Sequence, residues 1–276
     1  MKTSKDWKSL VFLYNTVPGR FFLKLLVQPW VSKVAGAFLS SGLSKGMIQR
    51  FIIKNDINMD DIEIPKGGFA SFNQFFSRRR KEEIVEASKE QLISPCDAFL
   101  TTLDITKDTY FDVKNASFSV RDLLRDKKLA DKYENGKALI FRLTPTHYHR
   151  YCYPSDGTIL VSRKIKGVLH CVRPIALRKY PVFVQNSREY QVIKTSNFGT
   201  IVQMEVGALL VGKIKNHLDT AKVIDIIAGQ EKGYFEFGGS TIVLLFQKDK
   251  IQMNDKFLNT KEEVSVSKNE IIAKKY

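Results

Sequence analysis

Residues 190–215 read YQVIKTSNFGTIVQMEVGALLVGKIK. Three β-branched or aromatic runs, Tyr190–Thr195, Gly199–Val206 and Ala208–Lys215, follow one another with glycine or asparagine near the breaks. Such runs suit a half-buried pleated surface. Outward from this stretch, Ala138–Leu143, Thr158–Arg163 and Thr241–Phe246 have the same texture, and Val120–Arg125 reads as a short helix. The runs do not alternate regularly with helices, as a doubly wound parallel sheet requires. The expectation is an α+β fold, with a mainly antiparallel β core and short interspersed helices. The polar, lysine-rich tail from Lys248 is expected to add little to that core. A chain of 276 residues, 43% hydrophobic and 26% charged, can bury one large core, which excludes wholesale disorder.

The first 55 residues differ. Val31, Val34, Ala35 and Phe38 recur at helical spacing, and Met47 and Phe51 continue a face. Pro29 and Gly42 punctuate the run. Phe12, Tyr14, Phe21, Phe22 and Trp30 sit among Lys8, Arg20, Lys24 and Lys33, a mixture that suits an interfacial helix and equally suits helices packed on the main domain. Residues 1–60 are therefore read as an amphipathic helical, membrane-associating segment, and residues 61–276 as a β-rich catalytic domain. No stretch reaches the roughly 18–20 apolar residues that span a bilayer, so contact with a membrane is expected to be peripheral. The formal charge of +15 favours polyanionic partners, nucleic acid or an anionic lipid surface, without choosing between them. Cys96, Cys152 and Cys171 match no zinc spacing and read as reduced thiols.

Four segments contain groups capable of chemistry. Thr144-Pro145-Thr146-His147-Tyr148-His149-Arg150-Tyr151 places two imidazoles where a strand-like run meets a loop, a common setting for catalytic bases. The two histidines have no nearby cluster of acids to complete a metal site, and no metal is expected. Phe237-Gly238-Gly239-Ser240-Thr241 enters an apolar run and reads alone as a glycine-bearing turn. Ser94-Pro95-Cys96-Asp97 reads alone as turn chemistry. Phe72-Asn73-Gln74-Phe75-Phe76-Ser77-Arg78-Arg79-Arg80-Lys81 joins aromatics to four cations, as a nucleic-acid or a lipid-headgroup patch would.

Taken in order, these segments resemble the phosphatidylserine decarboxylase family. Its Phe-Phe-x-Arg matches Phe75-Phe76-Ser77-Arg78, and its Ser-Pro-Ala-Asp-Gly matches Ser94-Pro95-Cys96-Asp97-Ala98. Its Asp-Tyr-His-Arg matches His147-Tyr148-His149-Arg150, and its self-cleaving Gly-Ser-Thr matches Gly239-Ser240-Thr241. Gly207–Ile214 and Asn186-Ser187-Arg188-Glu189 are similar to two further segments of the family. Cys152 stands where many members carry a second histidine, which leaves His149 as the base, with His147 and Cys152 in supporting places.

The resemblance implies a self-processing enzyme. Ser240 attacks the carbonyl of Gly239, His149 takes its proton, and Asp97 holds His149 by the logic of a serine-protease triad. Chains 1–239 and 240–276 result, the second beginning with a pyruvoyl group made from Ser240. That group forms a Schiff base with phosphatidylserine, and carbon dioxide and phosphatidylethanolamine are released. Arg78, Arg79, Arg150 and Arg188 are the candidate headgroup cations. The setting implied is the cytoplasmic side of the cell membrane, peripherally bound to an anionic surface, with a homodimer compatible and no nucleic acid as partner. A non-catalytic basic protein that binds lipid or nucleic acid is the competing reading, and a pyruvoyl enzyme for a soluble amino acid is a third.

Overall fold

A computed structural model describes residues 8–81, 85–113, 116–209, 213–218, 223–238, 240–258 and 262–276. Five helices begin the account: α1 (Lys8–Asn15), α2 (Val17–Leu26), α3 (Pro29–Ser40), α4 (Met47–Asn55) and α5 (Phe72–Phe76). Thr16 and Ser71 cap α2 and α5 with their side-chain oxygens, and prolines stand in the first turns of α2 and α3. The strands that position the site are β1 (Ile62–Glu63), β2 (Arg79–Arg80), β3 (Ala98–Asp104), β4 (Lys137–Leu143), β5 (Arg150–Cys152), β6 (Gly157–Ile165), β7 (Arg188–Lys194), β8 (Thr200–Val206), β9 (Ile214–Asn216), β10 (Ile224–Ile226), β11 (Glu231–Phe235), β12 (Ser240–Phe246) and β13 (Val264–Val266).

Eight strands form one sheet in the order β10-β6-β7-β8-β12-β4-β3-β13, and three more form a sheet β9-β11-β5. Every strand pairing in these two sheets is antiparallel. β12 reads Ser-Thr-Ile-Val-Leu-Leu-Phe and is buried at every position. Flanked by β8 and β4, it lies inside the sheet with no solvent face, so it needs no polar alternation. The α+β class and the antiparallel core agree with the texture of the sequence.

Two expectations are corrected. Ala208–Lys215 does not continue as a strand; a short strand occurs only at Ile214–Asn216, and residues 210–212 lie outside the described set. The tail is not peripheral: Ile251, Met253, Phe257, Val266, Ile272 and Ala273 are all buried. Many of them lie in three-residue strands with one polar residue between two apolar ones, as in Ile251-Gln252-Met253 and Val264-Ser265-Val266, too brief to stand out from the lysines around them.

The N-terminal helices are built into both cores. Leu10, Tyr14, Leu23 and Val27 join the main cluster under the large sheet. Leu39 joins a second cluster with Phe69, Phe72, Phe75 and Phe76, against which Phe51 and Phe237 pack. The opposite faces are uncovered: Phe12, Phe21, Phe22, Leu25, Trp30, Val34, Phe38 and Ile53 are exposed. No single helix among the described residues is long and apolar enough to cross a membrane; α2 and α3 together form an apolar pair bent by 68°.

Candidate active site

The end of β4 organises the site. Leu143, its last residue, pairs with Ser240, the first residue of β12. Six residues further on, the carbonyl of His149 accepts the Phe235 N–H at 2.9 Å, at the end of β11. The segment between Phe235 and Ser240 is thus pinned at both ends to the β4–β5 connection. Gly238 within it has φ 141°, a conformation that side chains resist. Gly239 lies outside the described residues.

Ser240 is fully buried, and its Oγ has no hydrogen-bond partner among the described residues. His149 is likewise fully buried, and neither ring nitrogen has a hydrogen-bond partner among the described residues. The Phe76 ring lies 4.0 Å from the imidazole, centroid to centroid. Burial, then the nearby charge of Arg78 and then His147, hold His149 well below the ordinary imidazole range; the carbonyls of His147 and Gly238 work in the other direction. The result is a neutral base close to the backbone of His147 and Gly238, on the upstream side of Gly239. A buried hydroxyl and a buried imidazole without partners are costly unless chemistry uses them. The residues present therefore fit a pyruvoyl group built from Ser240.

Asp97 is placed differently from expectation. Its Oδ2 accepts from Arg80 Nη2 at 2.5 Å, and its Oδ1 from the Lys268 N–H at 2.8 Å. No Asp97–His149 hydrogen bond is formed. The imidazole whose charged form Asp97 favours is His147, though burial outweighs it and His147 is pushed down to about 4. His147 Nδ1 accepts the Thr144 N–H at 3.0 Å, which leaves its proton on Nε2. Arg80 also lies over the Tyr148 ring at 4.4 Å. Asp97 therefore steadies the loop through Arg80 and Tyr148, one residue short of His149.

The remaining expected residues separate clearly. Arg150 donates to the carbonyls of Ser77 and Arg78 and to Glu231. Arg188 is 1% exposed and donates to the carbonyls of Asp122, Leu123, Val184 and Asn186, which spends its donors inside the fold. Cys152 Sγ is buried and faces the Pro95 carbonyl and Asn269 Oδ1, both at 3.5 Å, and burial pushes its thiol up. Arg79 is exposed, and Arg78 is buried.

Three residues have contacts at the site that the sequence reading did not anticipate. Asn73 accepts the Phe237 N–H at 3.1 Å and donates to Ser40 Oγ at 2.9 Å and the Gly36 carbonyl at 3.3 Å. It ties α3 to the residue two before Gly239. Phe76 and Phe237 meet at 5.0 Å, so α5 also clamps that segment through its rings. The signal was the cap and pattern Ser71-Phe72-Asn73-Gln74-Phe75-Phe76, read only for its aromatics and cations.

Three clefts open nearby. An apolar one of about 130 Å³ runs from Leu10 of α1 past Pro145, Val172 and Leu209 to Phe237 and Gly238. A polar one of about 310 Å³ is lined by Asp61, Arg78, Arg80, Asp97 and Tyr148. A third, of about 180 Å³, lies between the β1–β2 pair and α5. Among the described residues no group of three or more His, Cys, Asp or Glu is placed to hold a metal ion.

The family model described as phosphatidylserine decarboxylase matches residues 72–273. The chain is 46% identical over 259 residues to the phosphatidylserine decarboxylase proenzyme 2 of Clostridium acetobutylicum, covering 92% of this chain and 87% of that one. It is 40% identical to the phosphatidylserine decarboxylase proenzyme of Ruminiclostridium cellulolyticum, covering 91% and 85%. Identity to the proenzyme of Clostridium tetani is 38%, with the same coverage. The match contains every segment on which the resemblance was read, from Phe75 to Thr241, and the chain belongs to the phosphatidylserine decarboxylase family.

Proposed function

We propose that this chain is a phosphatidylserine decarboxylase made as a proenzyme, which cuts itself between Gly239 and Ser240 and turns residue 240 into a pyruvoyl group. The observation that carries the reading is the coincidence, at one end of the sheet, of an unpartnered buried hydroxyl, an unpartnered buried imidazole and a glycine-strained segment. The neutral His149 takes the Ser240 proton, and Oγ attacks the Gly239 carbonyl, exchanging the peptide for an ester. Loss of the residue 240 α-proton and β-elimination then free chain 1–239 with a carboxylate end. Water converts the remaining dehydroalanine to a ketone and ammonia, which balances the sequence.

When formed, the pyruvoyl group supplies the electron sink that no ordinary side chain provides. The chain's own part is to bind the lipid, exclude water and hold a proton for the α-carbon as carbon dioxide departs. His149 is the candidate for that proton, and the apolar cleft leading from Leu10 to Gly238 suits the lipid end of the substrate.

Residues 8–55 carry seven Lys or Arg and no Asp or Glu. With their exposed aromatic faces, they are suited to lie on an anionic membrane surface. The reading is peripheral binding, on the cytoplasmic side. The test of the whole scheme is intact mass under denaturing conditions. Wild type should give two chains, the smaller one blocked at its start, and Ser240→Ala a single uncut chain without decarboxylation. A Ser240→Ala protein that still splits sinks the scheme.

A further inference from the structure

Arg78 stands apart from the cations around it. It is 5% exposed, yet its guanidinium makes no hydrogen bond and no ion pair among the described residues. Its contact is the Phe75 ring, 5.0 Å from the guanidinium carbon. Arg80 has Asp61 and Asp97, and Arg150 has Glu231 and two carbonyls. Asp61 and Asp97 act on Arg78 only from a distance, and burying a cation without a hydrogen bond or ion pair costs several kcal/mol. Such a group is held ready for an anion that binds later.

Arg78 lines two clefts, and their linings decide which takes the anion. The larger contains Asp56, Asp61 and Asp97, which repel one. The cleft between the β1–β2 pair and α5 sets Arg78, Arg79 and Arg150 against the one acid Glu63. Arg79 is exposed and makes no ion pair among the described residues, so it is available at the mouth. About 180 Å³ admits a phosphodiester with a small substituent.

We propose that this cleft binds the phosphodiester of the phospholipid headgroup, with Arg78 as its recognition residue. The proposal rests on the reading of the chain as a phosphatidylserine decarboxylase. The headgroup offers two anions, and the reaction separates them. A guanidinium on the carboxylate would stabilise the charge that is lost when the carbon–carbon bond breaks, and so would oppose release of carbon dioxide. The phosphodiester keeps its charge throughout, so Arg78 can grip it equally before and after the chemistry. Uniform binding of this kind appears in KM and not in kcat.

Wild type, Arg78→Met, Arg78→Lys and Arg79→Gln, each shown by intact mass to have split into two chains, are to be assayed on phosphatidylserine in mixed micelles. Glycerophosphoserine, L-serine and inorganic phosphate serve as competitors. KM should rise at least tenfold in Arg78→Met and several-fold in Arg78→Lys and Arg79→Gln, with kcat within about threefold. Glycerophosphoserine should inhibit wild type far better than L-serine, and Arg78→Met should lose that preference. Where Arg78→Met does not split, Arg78→Lys and Arg79→Gln decide alone. Wild-type KM and inhibition in both would overturn the proposal. So would inorganic phosphate inhibiting as well as glycerophosphoserine, because the cleft would then be a free-phosphate site. A wild type that splits but releases no carbon dioxide from phosphatidylserine would instead refute the functional reading.

Discussion

Asp97 and His149 flank the same loop and differ in one respect: Asp97 has its acceptors engaged, and among the described residues neither nitrogen of His149 has a hydrogen-bond partner. The Asp97 side is a closed network of Arg80, the Tyr148 ring and the Lys268 N–H. On the His149 side the Phe76 ring covers the imidazole, and Ser240, at the start of β12, likewise lacks a hydrogen-bond partner among the described residues. A satisfied network fixes geometry; a dry, unsatisfied one keeps groups reactive. The contrast is the ground for proposing positioning for Asp97 and proton transfer for His149.

The strongest way to break this division is His149→Asn. Self-cleavage, followed as the appearance of the smaller chain, should slow by about 10²–10⁴, the range for losing a general base. Melting temperature should fall modestly, because the ring contact with Phe76 is lost and the amide that replaces the imidazole is just as buried. Cleavage at the wild-type rate would return the role to another residue.

Asp97→Asn sharpens it next. It weakens a partly buried ion pair and should cost about 1–3 kcal/mol of stability, while slowing cleavage far less than His149→Asn does. Total loss of cleavage at unchanged stability would show that Asp97 contacts the base directly during reaction. Asn73→Ala follows. It frees the Phe237 N–H and breaks the tie to α3, so cleavage should slow by roughly tenfold, the scale of losing one positioning hydrogen bond. An unchanged rate would confine Asn73 to holding α3.

The same contrast explains what could be read in advance. His149 and Ser240 were legible because each lies in a local pattern, an imidazole after a strand and a serine after two glycines. The sheet was legible because β12, β8 and β7 are long β-branched runs. The partners of Asp97 were not. Arg80 is 17 residues away and Lys268 is 171 away, and neither distance leaves a local trace. Arg188 looked like a free cation until four carbonyls from two other segments closed around it. The tail was misjudged for a related reason: Glu263 pairs at 2.7 Å with Arg142 of β4, 121 residues earlier, and Val266 in β13 pairs with Ala98 of β3, so both owe their places to strands far back in the chain. Charge in a sequence marks where cations are, and only the fold decides whether they are spent.

The smallest expected effect concerns pH. His147 and His170 are each pushed down to about 4, chiefly by burial, and His149 is lowered as well. An unfolded imidazole titrates near about 6.5, so below that pH the unfolded chain binds protons that the folded chain refuses. Stability is therefore complete above about pH 6.5 and is lost as pH falls toward the folded values. At pH 5 His147 and His170 each account for about 1–2 kcal/mol, or a few degrees of melting temperature. His170 is the useful probe because it lies outside the catalytic loop, stacked on Tyr180 at 4.4 Å with Tyr14 Oη 3.3 Å from Nδ1. His170→Gln should melt lower at pH 7.5, having lost that stack, yet lose fewer degrees than wild type between pH 7.5 and 5. The cleavage rate of the same variant should keep the wild-type pH profile, since the base that sets it is His149. If the acid-induced loss is the same in both proteins, His170 is not buried in its neutral form. If instead the cleavage profile moves, the reactive and structural imidazoles are coupled, and the division drawn between them fails.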